Sequence, residues 1–195
     1  MQVLMPNGVA PTFHTSGTAN PRAQIGFVNS APTASLFQNQ PVKNVNGVIV
    51  PITTATDVVL GIFVGLQYVD QNGLVKERNH VLAGTPFFAS GGAINNGDPY
   101  TNMGEAYLYQ DPQMEFAVQG NGPIQKSAVG QSFSLDPTTL AGGTYIGIST
   151  ALLDAVAGPV PGLAGQFIVT DLVEVPGNTC GDPFIVVKVK LNNIL

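Results

Sequence analysis

The residues able to do chemistry are few. Histidine occurs at His14 and His80, and cysteine at Cys180 alone. Nucleophilic catalysis needs a serine or cysteine, a base within reach and a group that orients the base. His14 falls in a stretch without periodicity, a poor scaffold for such geometry. His80 follows Lys76-Glu77-Arg78, and strand alternation puts it on the face opposite Glu77. Cys180 sits in the turn-like run Pro176-Gly177-Asn178-Thr179-Cys180-Gly181. A Cys180–His80 pair is conceivable, but no local motif accompanies either residue, so a structural cysteine and a surface histidine are expected.

Metal and phosphate chemistry have little to work with. There is no cysteine pair and no His-x-x-x-His, so no zinc set is expected, and a lone cysteine forbids an intrachain disulfide. Asp70-Gln71-Asn72-Gly73 opens like a calcium loop but lacks the closing glutamate, and reads as a hairpin turn. Gly120-Asn121-Gly122-Pro123 precedes neither a helix nor a Lys-Ser/Thr pair, so it is not expected to cradle phosphate. The 12 Asp and Glu residues leave open a carboxylate pair of the kind that hydrolyses glycosides. The expectation is a protein that is not an enzyme and holds no cofactor or metal.

The elements that would position these residues read as strands. From Ile25 onward, short apolar segments alternate with turn signals every 8–12 residues, the all-β signature. Asn46-Gly47 between Pro41-Val42-Lys43 and Val48-Ile49-Val50 predicts a type I′ hairpin. Asp70 to Gly73 predicts a second, joining Leu60–Val69 to Leu74–Leu82. In its first strand, simple alternation puts Ile62, Val64, Leu66 and Tyr68 on one face and Phe63, Gly65, Gln67 and Val69 on the other. Gly61 and Gly65 inside that strand predict bulges or close backbone approach. Lys76, Glu77, Arg78 and His80 mark its partner as an edge or solvated strand.

Further strands are predicted at 105–109, 113–119, 129–135, 166–175 and 184–191, the last with Ile185, Val187, Val189 and Leu191 inward. Ser149 to Ala157 is the one plausible helix. The fold class expected is all-β: a small curved β-barrel at 25–90, a Gly/Asn-rich loop at 91–104 and a β-sandwich-like second half at 105–195. Residues 1–24, with Pro6, Pro11 and Pro21, read as an extended N-terminal arm. Val3, Leu4 and Phe13 in the arm, with Phe87, Phe88 and Tyr100, are the candidate interface residues. Phe87, Phe88, Tyr100, Tyr107, Tyr109 and Phe133 could serve either a core or an interface; Tyr107 and Tyr109 share a face, taken as core on one side.

Composition narrows the partners. Charged residues make up 10% of the chain, against about 25% in ordinary soluble domains. A surface short of charge tolerates extensive contact with neighbours. No basic cluster stands out from a net charge of −5, so direct nucleic-acid binding is not expected. The longest apolar run, Val58 to Leu66, is too short for a membrane span, which needs about 20 residues. The start, Met1-Gln2-Val3-Leu4-Met5-Pro6, lacks the features of a secretory signal, and synthesis in a cytoplasm is expected.

One stretch carries a resemblance. Leu36-Phe37-Gln38-Asn39-Gln40-Pro41-Val42-Lys43 is followed by Gly47-Val48-Ile49-Val50-Pro51 and then by Leu60-Gly61-Ile62-Phe63-Val64-Gly65-Leu66-Gln67-Tyr68-Val69-Asp70-Gln71-Asn72-Gly73. This order resembles the head decoration, or cement, proteins of tailed bacteriophages. Their pattern runs aromatic-x-Gly-Asp-Pro-Val, Gly-x-Ile, then Leu-Gly-Val-Phe-x-Gly-x-x-Tyr-x-Asp-x-Asn-Gly. Later stretches, Asp111-Pro112 through Gly120 and Pro176-Gly177-Asn178 with Val187 to Asn192, are also similar. The chain departs from the pattern at Asn39-Gln40, where Gly-Asp is usual. The resemblance implies a β-barrel or β-sandwich protein on the exterior of a virion capsid. Its partners would be the major capsid protein and further copies of itself, commonly as a homotrimer. The rival expectation is a glycan- or receptor-binding module of a phage fibre or spike.

Overall fold

The computed structural model describes residues 7–14, 23–87, 103–144, 146–173 and 175–192, with only the backbone of Phe13 and His14. Within them the chain is almost wholly β, in two antiparallel sheets. The strands are β1 (Ala10–His14), β2 (Gln24–Val28), β3 (Gln40–Val45), β4 (Val48–Pro51), β5 (Gly61–Val69), β6 (Val75–Arg78), β7 (Gly104–Tyr109), β8 (Met114–Gln119), β9 (Ser132–Phe133), β10 (Phe167–Leu172) and β11 (Val186–Leu191).

The first sheet runs β1-β8-β11-β10-β9. Its inward residues follow strict alternation: Met114, Phe116 and Val118 on β8, and Val187, Val189 and Leu191 on β11, with Lys188 and Lys190 turned out. The second sheet runs β2-β7-β5-β3-β4, with β6 also paired to β5. Both expected hairpins form. Asn46 and Gly47 have φ of 53° and 85°, as a type I′ turn requires. At Asp70–Gly73, Asp70 Oδ1 accepts the backbone N–H groups of Asn72 and Leu74.

Four features of the structure add to or differ from the sequence reading. The arm is not free over the residues described. Residues Ala10–His14 pair with β8 at the edge of the first sheet, and Val9 is fully buried in its core. Unpaired N–H and C=O groups on β8 attract an extended segment, and Val9 supplies the apolar anchor.

The second concerns the barrel. The second sheet curls without closing, and no ladder joins its end strands β2 and β4 among the described residues. They meet through a side chain instead: a Cβ at Gly26 would lie 2.6 Å from Cγ1 of Ile49.

Third, strand pairing does not follow the expected division at 91–104. β7 pairs with β2 and β5 in the second sheet. The crossing to the first sheet comes at the turn after Tyr109, where Gln113 N–H donates to Asp111 Oδ1 and Met114 N–H to the Asp111 carbonyl. Fourth, Ser149–Ala157 is not a helix. Leu152 N–H donates to Thr139 Oγ1 and Leu153 N–H to the Gln119 carbonyl. Those donors are therefore unavailable to the i→i−4 bonds of a helix.

The two sheets share apolar packing through β5. Ile62 points into the core of the first sheet, beside Ile52 and Val59, while Phe63 and Leu66 point into the core of the second. The expected alternation breaks because Val64 is a bulge between Phe63, opposite Leu108, and Gly65, opposite Tyr107. One extra residue returns Leu66 to the face of Phe63. Gly65 permits this: a Cβ there would sit 2.8 Å from the Arg78 carbonyl oxygen.

Because Phe116 is fully buried in the first core, Phe116→Ala is expected to cost about 3–5 kcal/mol in urea unfolding. Val58 is 78% exposed, so Val58→Ala should stay within about 0.5 kcal/mol of the parent. Equal losses at the two positions would contradict the core described.

Candidate interaction surface

The sequence-predicted residues scatter. Val3, Leu4, Phe88 and Tyr100 lie outside the described residues. Phe13 is on edge strand β1, opposite Glu115. Phe87 is a core residue: it is 2% exposed and its ring lies 4.6 Å from that of Tyr68, between centroids. In this chain it has no surface to offer a partner. The burial follows from Gly104, whose missing side chain leaves room for the Phe87 ring.

His80 stacks on Phe37 with centroids 6.5 Å apart, and its Nδ1 lies 2.9 Å from Asn79 Oδ1. Gly147 packs against the other part of the ring. Cys180 is exposed and contacts Gln125. The two residues thus have separate neighbours, and no bond between them occurs among the described residues. No group of three or more His, Cys, Asp or Glu side chains suited to a metal occurs among the described residues.

The described aspartates are turn and ion-pair acceptors. Asp57 accepts from Lys43 Nζ at 2.8 Å and from the backbone N–H groups of Thr53 and Thr54. Burial works to raise its pKa, but the Lys43 hydrogen bond, the two backbone donors and the Lys43 charge outweigh it and hold the carboxyl far below its usual range. Asp70 is held low by the backbone donor of Leu74 first, then by Asn72 and Lys76. Asp182 is held low by the backbone and hydroxyl of Thr179.

Asp136 and Asp154 form the one carboxylate pair with a shared partner that we single out. Asn121 Nδ2 donates to Asp136 Oδ2 at 2.9 Å and to Asp154 Oδ1 at 3.3 Å. Burial would raise the Asp136 pKa, yet the donors Thr138 and Asn121 bring it below the usual value. An ionised, donor-saturated carboxylate is a poor general acid. The pair instead anchors the Gly120-Asn121-Gly122 turn, where Asn121 Oδ1 accepts from Ala155 and Val156.

Among the described residues, the outer face of the second sheet carries polar side chains, Gln67, Glu77 and Glu105, that take no part in turns or ion pairs. Register places Ile25, Tyr107 and Gly65 in one row across β2, β7 and β5. The next row is Phe27, Glu105, Gln67 and Glu77, ending on β6. Tyr107 and Tyr109 share a face, as expected, but not a fate. Tyr109 packs against the core of the first sheet, whereas Tyr107 lines an open depression of about 360 Å³ with Val64, Gly65, Glu77, Arg78 and Asn79. The clue in the sequence was Glu105, which has the parity of Tyr107 and marks that face as wet.

A comparison with protein-family models, curated proteins and solved structures gives no match.

The Asp57 carboxyl ties Lys43 on β3 to the 53–54 turn. Its folded pKa lies below the unfolded value of about 3.9. It therefore adds stability above that pH, and the contribution fades as pH falls through the folded pKa. Asp57→Asn should cost about 2 kcal/mol at pH 7. It should also flatten the fall of thermal stability below about pH 4. A variant with unchanged acid sensitivity would argue against this role.

Proposed function

We propose that the chain is a decoration protein of a phage head, binding the capsid exterior as a trimer across seams between major capsid subunits. The observation that carries the reading is Asn39. It stands where the resembling pattern has glycine, and its φ is 64°, in the left-handed region that glycine favours and asparagine best tolerates. The neighbouring departure is also conservative in effect. Buried Gln40 accepts the Phe37 N–H at 2.9 Å and donates to the Leu140 carbonyl at 2.7 Å. A shorter Asp could take the first of these bonds.

The segment that carries the resemblance, 36–73, also folds as a contiguous unit of β3, β4 and β5 with the Asp70 turn. The surface suits such a partner. Large apolar side chains, among them Val58, Val75, Ile146, Val156 and Val175, are each more than half exposed. Few charges accompany them. Even a few hundred Å² of apolar contact gives several kcal/mol at about 25 cal/mol per Å², before association costs. Repetition over a shell multiplies weak contacts, and a closed trimer avoids open polymerisation.

The test is direct. Purified virions should contain the chain in fixed stoichiometry, and stripped capsids should rebind the purified protein; failure of both removes the proposal. Deletions refine it. Removing residues 1–6 should leave thermal stability near that of the parent. Removing 1–14 takes away Val9 and β1, and should destabilise the fold by several kcal/mol, on the order of one buried side chain plus an edge strand. Attachment already lost in the first variant, with its thermal stability intact, would assign residues 1–6 to the capsid contact.

A further inference from the structure

We infer that the outer face of the second sheet, around Tyr107, is a binding site for neutral oligosaccharides. This goes beyond capsid attachment and does not depend on it.

The site is built from the strand register. Gly65 lies between Tyr107 of β7 and the Arg78–Asn79 backbone at the end of β6. Two strand spacings, about 9–10 Å, separate those walls. With no side chain on the floor, the slot is open and one pyranose ring wide. Tyr107 forms one wall, while Glu77 and the Arg78 backbone form the other. Gln67 and Glu105 adjoin in the next row.

This is the side-chain set that saccharides require. The C–H faces of a pyranose pack on an aromatic ring, and its hydroxyls pair with planar amide and carboxylate groups. A site also needs its polar groups to be available. The described aspartates and the lysines Lys43, Lys76 and Lys188 are engaged in turns or ion pairs. Glu77, Gln67 and Glu105, which share this face, have no side-chain partner among the described residues. In a chain with 10% charge, such a concentration of unpaired planar groups beside an aromatic ring has no role in holding the fold.

The charges also select the ligand. Two carboxylates, Glu77 and Glu105, lie on this face, and the whole chain carries −5. An anionic sugar would meet like charge. A neutral hexose or N-acetylhexosamine chain would not.

The experiment is titration of the purified, full chain with maltotriose, cellotriose, N,N′-diacetylchitobiose and sialyllactose, followed by amide NMR shifts, beside an array of neutral oligosaccharides. At least one neutral sugar should bind, with Kd on the order of 0.1–1 mM. Raising salt from about 0.05 to 0.5 M should change it less than twofold, because no ionic attraction is involved. Tyr107→Ala should weaken binding at least about tenfold, and Tyr107→Phe should retain it. Gln67→Ala and Glu77→Ala, at surface positions that do not threaten folding, should each weaken it several-fold. No binding of any neutral sugar, preference for sialyllactose, or binding unchanged in all of Tyr107→Ala, Gln67→Ala and Glu77→Ala would overturn the assignment. None of these outcomes bears on capsid attachment, which is read separately from virion composition.

Discussion

Strand β5 has to face two cores within nine residues, and the rest of the molecule is arranged around how it does so. Its first half lies between β3 and β7, its second between β6 and β7. Ile62 packs with the first sheet, and Phe63 and Leu66 with the second. A regular strand cannot present Phe63 and Leu66 to one side, since residues three apart face opposite ways. The bulge at Val64 removes that conflict, and Gly65 removes the clash the bulge would create with Arg78. The same glycine leaves the open slot beside Tyr107. A packing requirement inside the sheet thus shapes the surface outside it.

Shortage of charge sets the second constraint. Buried amides and turn aspartates do the joining that ion pairs do elsewhere. Gln166 accepts the Leu135 N–H and donates to the carbonyls of Thr54 and Asp57, linking the first sheet to the loop before β5. Asn178 accepts from Val186 N–H and donates to the Val186 and Val173 carbonyls, fixing the turn between β10 and β11. Each such amide satisfies several buried backbone groups without the desolvation cost of an ion. The surface is left with few fixed charges, the condition under which broad contact with other protein subunits is not opposed by repulsion. The decoration reading and the sugar-binding inference use different parts of that economy: the first its exposed apolar residues, the second its few unpaired planar groups.

Much of this was written locally. The all-β class, both hairpins, the inward face of β11, the charged edge strand β6 and the irregularity at Gly65 follow from period-two alternation, turn chemistry and glycine placement. Each of those is settled within a few residues, so the sequence alone determined it. The role of Asp70 as a turn former was legible for the same reason.

Other features belong to the tertiary structure. No local signal says that Ala10–His14 should leave an apparent arm and pair with β8 more than a hundred residues away. Nor does one say that β7, beyond the glycine-rich loop, should return to the earlier strands. Strand partners are chosen by which edges and apolar faces remain free once the others have paired, and that is a property of the whole chain. The open seam between β2 and β4, the burial of Phe87 and the exposure of Tyr107 follow from the same choice. Alternation fixed that Tyr107 and Tyr109 share a face; only the position of the first sheet, covering one end of that face, decided which half-buried ring packs on a core and which lines the open depression.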